Sequence, residues 1–156
     1  MKQFHFDREK DIEILSEETI HQGFLVLKRY RYRHRLFSGE WSPIVTREVC
    51  ERGEVAAALP YDPLLDKVVL IQQCRPGALH SPMAWILEAV AGVMDKKDRS
   101  PAEFIQRELQ EESGLVAKKL HKICEYWVSP GGSNEYLTLY CAEVDASTAG
   151  GIHGLP

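Results

Sequence analysis

SPAEFIQRELQEESGL, residues 100–115, decides how the rest of the chain is read. Ser100 followed by Pro101 and Glu103 predicts a helix start: serine caps free amides, proline is tolerated at the first helical position, and the glutamate completes a capping box. Gly114 marks the stop. Between them Ala102, Ile105 and Leu109 recur at three- and four-residue spacing and form an apolar side, while Glu108, Glu111 and Glu112 share the other. A like-charge pair at that spacing costs about 0.2–0.5 kcal/mol. A carboxylate in the last turn forgoes about 0.3–1 kcal/mol relative to a cation. Costs this small leave a solvated acidic face as the first reading of the helix alone.

The setting favours a second reading. Ala91-Gly92 ends a strand-like stretch and enters a loop before the helix, an arrangement that places side chains over a cleft. Converging carboxylates suit Mg²⁺ or Mn²⁺, hard ions that prefer oxygen ligands. Arg107, four residues before Glu111, can hold that carboxylate in an ordinary ion pair while the others face a metal.

Outward from the helix the chain reads mainly as strands. FLVLKRYRYRHRLF (24–37) and PIVTREVC (43–50) come first, the former with a basic, wet face; a nucleic-acid strip is the alternative, which nothing later extends. VAAALPY from Val55, KVVLIQQCR (67–75) and WILEAVAG (85–92) follow as successive strands, and KKLHKICEYWV (118–128) and NEYLTLYCAEV (134–144) come after the helix, joined across SPGGS. STAGGIHGLP closes as loop. This pattern predicts a mixed sheet with at least one helix and a smaller strand-rich N-terminal piece, without internal repeats.

A chain of 156 residues with 44% hydrophobic and 27% charged residues is long and apolar enough for a substantial core. No run reaches membrane-spanning length and the N-terminus has no apolar stretch of a secretory signal, so no membrane association and a cytoplasmic location are expected. A formal charge of −4 argues against broad nucleic-acid binding. Cys50, Cys74, Cys124 and Cys141 stand far apart; all but Cys74 lie in strand-like stretches, where reduced, half-buried side chains are expected.

GVMDKKDRSPAEFIQRELQEESGL, residues 92–115, resembles the Nudix box, G-x5-E-x7-R-E-U-x-E-E-x-G-U with U a bulky aliphatic residue. Arg107 to Leu115 agrees at every specified position. In the first half, counting back from Gly114 puts the glycine on Val93 and the early glutamate on Arg99. Gly92 and Asp98 instead keep the family's mutual spacing, with one extra residue before the helix. A one-residue loop insertion accounts for this, and the shorter Asp98 in place of Glu implies a local adjustment of a residue that supports the box.

The likeness extends through RHRLFSGE, REVCERGE, VVLIQQCR, WVSPGG with Glu135, EVDAST and GIHG, and is to bacterial ADP-ribose pyrophosphatases within the Nudix superfamily. It implies an α/β class with a Nudix fold, a mixed-sheet α/β/α sandwich at 53–156, and a small N-terminal β-domain at 1–52 exchanged between subunits of a homodimer. It implies metal-dependent cleavage of ADP-ribose to AMP and ribose 5-phosphate, with Mg²⁺ or Mn²⁺ on the Ala91 carbonyl and the carboxylates of Glu108, Glu111 and Glu112. Arg47 and Arg75 match arginines that contact substrate. Phe24 matches an aromatic near the nucleoside, and Glu135 an acidic residue beside the substrate in a loop that Ser129 and Gly131 shape.

Each of these residues has a plainer role open to it. Phe24, in a strand, suits core; Arg75 suits a solvent-facing strand end; Glu135 suits a wet position after a turn. Arg47 and Glu48 point to opposite faces of a strand and do not make an obvious pair.

Metal on the three glutamates would lower the pKa of a bound water and stabilise charge as the P–O bond breaks. Arginines would clamp the diphosphate with a geometry that lysine lacks. The glutamate that helps activate water in the resembled enzymes follows GIHG, and the residues up to Pro156 supply no counterpart. A chain ending there is expected to bind metal and ligand with weakened turnover; full hydrolysis rates would overturn that. Two other readings stay open: a Nudix hydrolase of another nucleoside diphosphate derivative, such as a nucleotide sugar or dinucleotide, and a noncatalytic nucleotide-binding module.

Overall fold

The structure, a computed structural model, describes residues 5–98 and 100–154. In chain order it contains α1 (Arg8–Asp11), β1 (Ile12–Gln22), β2 (Val26–His34), β3 (Val45–Glu51), β4 (Glu54–Asp62), β5 (Lys67–Val68), β6 (Ile71–Cys74), β7 (Trp85–Glu88), β8 (Val90–Val93), α2 (Pro101–Ser113), β9 (Lys119–Trp127) and β10 (Tyr136–Glu143). The chain divides after Arg52 into two compact units, and the loop Val128–Glu135 belongs with the first. Among the described residues no helix is long and apolar enough to cross a membrane.

The first unit is built on the antiparallel sheet β1-β2-β3. β1 has no counterpart in the sequence reading, because IEILSEETIHQ lacks the apolar alternation of a half-buried strand and most of its residues stay exposed. Cross-strand charge aligns it instead. Glu13 pairs with Arg33, Glu17 with Lys28 at 2.5 Å, and Glu18 with Arg29 at 3.7 Å. The basic face of β2 is thus answered by β1, and Arg29 also meets Glu48 of β3 at 2.8 Å.

The second unit centres on β4, whose residues Val55 to Ala58 are buried on both faces. β10 runs parallel to β4 along one edge and carries β9 antiparallel beyond it. The other edge of β4 is shared: Tyr61 and Asp62 pair with β5, while Val55 to Ala58 pair with β8. This sharing breaks two of the expected continuous strands. KVVLIQQCR leaves β4 after Val68, and Ile71–Cys74 pairs with Trp85–Glu88 as a separate antiparallel ribbon. WILEAVAG divides around Ala89, its first half joining that ribbon and its second half returning to β4. The mixed sheet is as expected; the divisions arise because one strand edge holds one partner at a time.

Helix α2 packs over β4 and β8. Ile105 and Leu109 are fully buried and Phe104 nearly so, against Ala56, Ala58, Val90, Tyr140 and Ala142. Alanines on the strands let the helix approach closely. Phe104, absent from the expected apolar side, joins Ile105 there. Cysteine burial also departs from expectation at Cys124, which is exposed like Cys74, whereas Cys50 and Cys141 are half-buried. β9 is an edge strand with most of its length open, so its strand character does not confer burial.

Asp62 ties the far end of β4 to two loops. Its Oδ1 accepts from the Leu64 and Leu65 amides at 2.8 and 3.1 Å, and Oδ2 from the Ala146 amide at 2.8 Å. The Ala146 N–H, aided by Leu65 and Leu64 against the cost of burial, holds this carboxyl below its ordinary value of 3.8. A carboxyl lowered on folding stabilises the protein above its unfolded pKa, and that stability is lost as pH falls through the native one. Asp62→Asn is therefore expected to unfold earlier in urea than the parent at neutral pH. The gap should narrow to a small remainder as pH drops below 3.8, and a constant gap between pH 7 and pH 3 would contradict the assignment.

Candidate active site

The acidic face of α2 begins with well-formed ends. Ser100 Oγ accepts from the Glu103 amide at 3.2 Å, and Gly114 closes the helix at φ 69°, its N–H donating to the Gln110 carbonyl at 3.0 Å. Glu108 and Glu112 do not face bulk water: both are half-buried, and Glu112 Oε2 is buried without a hydrogen-bond partner. Glu111 alone is exposed. An uncompensated buried carboxylate oxygen is costly, so the plain solvated-face reading fails for Glu112, and half-buried Glu108 fits it poorly.

The electrostatics agree. Burial, followed by repulsion from Glu111 and Glu112, pushes the Glu108 carboxyl up against the pull of Arg107. Burial likewise pushes Glu112 up, opposed by the Ala91 N–H, the positive charge of Arg75 and the Gln73 side chain, with Glu88 adding repulsion. Negative charge is thus held where the protein alone compensates it poorly. Among the described residues no three such ligands stand gathered around one point. The orphaned oxygen and the hard oxygen donors fit Mg²⁺ or Mn²⁺.

Gly92, in β8, makes the space. A Cβ there would stand 2.7 Å from Phe104 Cζ and 2.9 Å from Glu108 Oε2. Gly92→Ala is expected to cost about 1–3 kcal/mol of stability by overpacking and to turn Glu108 away. Urea unfolding and Mn²⁺ titration of the same variant test the two effects. An unchanged midpoint with unchanged Mn²⁺ affinity would show that the cradle has slack.

Arg107 departs from the simple pairing with Glu111. Its nearest partner is Asp98 at 3.0 Å, with Glu108 at 3.7 Å and Glu111 at 3.9 Å, and its guanidinium lies 5.1 Å over Phe104. Asp98, lowered chiefly by the Asp95 N–H, also receives that amide at 2.8 Å. The aspartate in the lengthened loop therefore braces both the loop and the helix. Arg99, the position at issue in the register, lies outside the described residues.

The remaining sequence candidates form groups within each unit. Ala91 pairs with Ala57 in the sheet beside Gly92. Arg75 does not simply face solvent: it donates to Glu88 at 2.8 Å across the β6–β7 ribbon. Gln73 and Glu88, absent from the sequence candidates, join it near Glu112; the alternation of QQCR puts residues 73 and 75 on one side and so held this signal. In the first unit Arg47 is exposed on β3, donates to the Thr46 carbonyl at 2.8 Å, and lines a concavity with Tyr30, Pro130 and Gly131. Ser129 accepts the Gly132 and Ser133 amides through its carbonyl. Glu135 is half-buried and takes Arg52 Nε at 3.1 Å, a partner the sequence reading missed. Phe24 is neither core nor strand; it is 99% exposed in the bend between β1 and β2.

A loop and helix lay paired glutamates beside a glycine on a mixed sheet. The chain belongs to the Nudix family, whose NUDIX domain model matches residues 51–152. It is 46% identical over 146 residues to the ADP-ribose pyrophosphatase of Escherichia coli K12, covering 93% of this chain and 69% of that protein. It is 43% identical over 155 residues to the ADP-ribose pyrophosphatase of Haemophilus influenzae, covering 97% and 70%. The GDP-mannose pyrophosphatase of Cronobacter sakazakii is 33% identical over 150 residues, covering 91% and 76%. A crystal structure of an ADP compounds hydrolase shares the fold with a TM-score of 0.67 at 19% identity, over 94% of this chain and 71% of that one.

Proposed function

We propose that this protein hydrolyses the diphosphate bond of ADP-ribose to AMP and ribose 5-phosphate, using Mg²⁺ or Mn²⁺. The observation that carries the chemistry is the buried, unpartnered Oε2 of Glu112 beside half-buried Glu108, inside an intact R-E-L-Q-E-E-S-G-L stretch. The substrate rests on the 46% and 43% identical relatives named for it.

The Ala91 carbonyl with Glu108, Glu111 and Glu112 would hold the ion, which when bound supplies a water of lowered pKa and neutralises phosphate oxygens. Gly92 leaves the room, and Asp98 with Arg107 fixes the helix that carries the carboxylates. Arg75, held by Glu88, supplies a guanidinium on the Glu112 side that suits a dianionic linkage, and Arg47 on β3 of the first unit presents another guanidinium. Phe24 presents a free aromatic face for a base, and Ser129, Gly131 and Glu135 shape the loop beside the substrate. We place the protein in the cytoplasm as a homodimer with 1–52 exchanged between subunits.

The second reading, a nucleotide-sugar hydrolase, is favoured by the 33% identical GDP-mannose pyrophosphatase. Hydrolysis of ADP-ribose, GDP-mannose and diadenosine compounds with product identification decides between them. ADP-ribose is expected to lead in kcat/KM. A lead of tenfold by another substrate, about 1.4 kcal/mol of transition-state preference, would overturn the assignment.

A further inference from the structure

The acidic helix is finished by a segment far from it in sequence. Gly150, Gly151 and Gly154 take φ of 134°, 97° and 92°, turning Gly150–Gly154 back onto the end of α2. There the Gly154 N–H donates to the Glu111 carbonyl at 3.0 Å, one of the carbonyls that a last helical turn leaves without an internal donor. His153 Nε2 lies 2.8 Å from the Gly150 carbonyl, so that nitrogen carries the proton and donates.

The His153 ring stands over Gly114. A Cβ at Gly114 would come within 2.6 Å of His153 Cε1 and 3.2 Å of each ring nitrogen. Gly114 therefore meets two demands: the left-handed conformation of the helix stop, and space for an imidazole. No basic residue occupies the last turn of α2, so a ring and an amide from a distant loop stand where a cation would otherwise complement the dipole. Core packing is not what holds the segment, since residues 151–154 are exposed. The same segment, with Glu112 and Gln73, lines a cavity of about 730 Å³.

The geometry points to His153 as a positioning residue for the metal-binding face: seated over Gly114, it keeps Gly150–Gly154 docked on the Glu111 carbonyl and so fixes the turn that presents Glu111 and Glu112. This rests on the metal reading proposed above. The test is Mn²⁺ binding by electron paramagnetic resonance without substrate, on the parent, His153→Ala and His153→Gln, with hydrogen exchange of the Gly154 amide.

The parent is expected to bind. His153→Ala should bind about tenfold more weakly, with faster Gly154 exchange and an unchanged urea midpoint. His153→Gln, which keeps a planar donor for the Gly150 carbonyl, should recover most of the loss. Parent-like Mn²⁺ affinity in His153→Ala would overturn the inference while leaving the metal reading standing. Weakened binding with Gly154 still protected would also overturn it, because docking would then not depend on the ring. A parent that binds no Mn²⁺ would remove both the metal reading and this one.

Discussion

Glu112→Gln is expected to lower hydrolysis by at least about a hundredfold while leaving the fold intact. Glutamine keeps the shape of the side chain and loses the charge that a cation needs. The stability of the metal-free protein sharpens the test. Burial raises the Glu112 carboxyl in the native state. The native chain therefore binds more protons than the unfolded one as pH rises above the ordinary carboxylate range, and stability falls with rising pH through that window. Glutamine removes this penalty, so at neutral pH without metal the variant should unfold no earlier than the parent. Saturating Mg²⁺ should then raise the parent's midpoint and barely move the variant's, because only a native state that binds the ion gains from mass action. Equal Mg²⁺ shifts in both proteins, or undiminished turnover, would take Glu112 out of the metal site.

Ile105→Ala is expected to cost about 2–5 kcal/mol, lost contact plus the cavity left behind. Ile105 is fully buried in the cluster joining α2 to β4, β8 and β10. That loss is a large share of the roughly 5–15 kcal/mol by which a domain is stable. The two variants should fail in opposite ways. Ile105→Ala should shift the urea midpoint sharply and, where still folded, regain stability in Mg²⁺, because its carboxylates are untouched. A change below about 0.5 kcal/mol would mean that the helix does not depend on this contact.

Much of the site was legible in one helix because its signals are local. A cap, a proline, a three- and four-residue apolar spacing and a glycine stop need only neighbours along the chain, and α2 runs from Pro101 to Ser113 with Ser100 and Gly114 at its ends. The acidic register followed from the same period. Strand existence was legible for most of the sheet by composition. β1 was not, because its pairing depends on arginines and a lysine in β2 and not on any pattern of its own.

Residue sequence by itself determined the helix, the side of it that is acidic, and the Nudix class that its glutamates announce, since each of these is written at spacings of a few residues. Tertiary structure alone decided which glutamates are half-buried, that Asp98 rather than Glu111 takes Arg107 most closely, and that a histidine some forty positions on sits over Gly114. Burial and contact between remote residues depend on which strand occupies each edge of β4, and nothing in a local window encodes that choice.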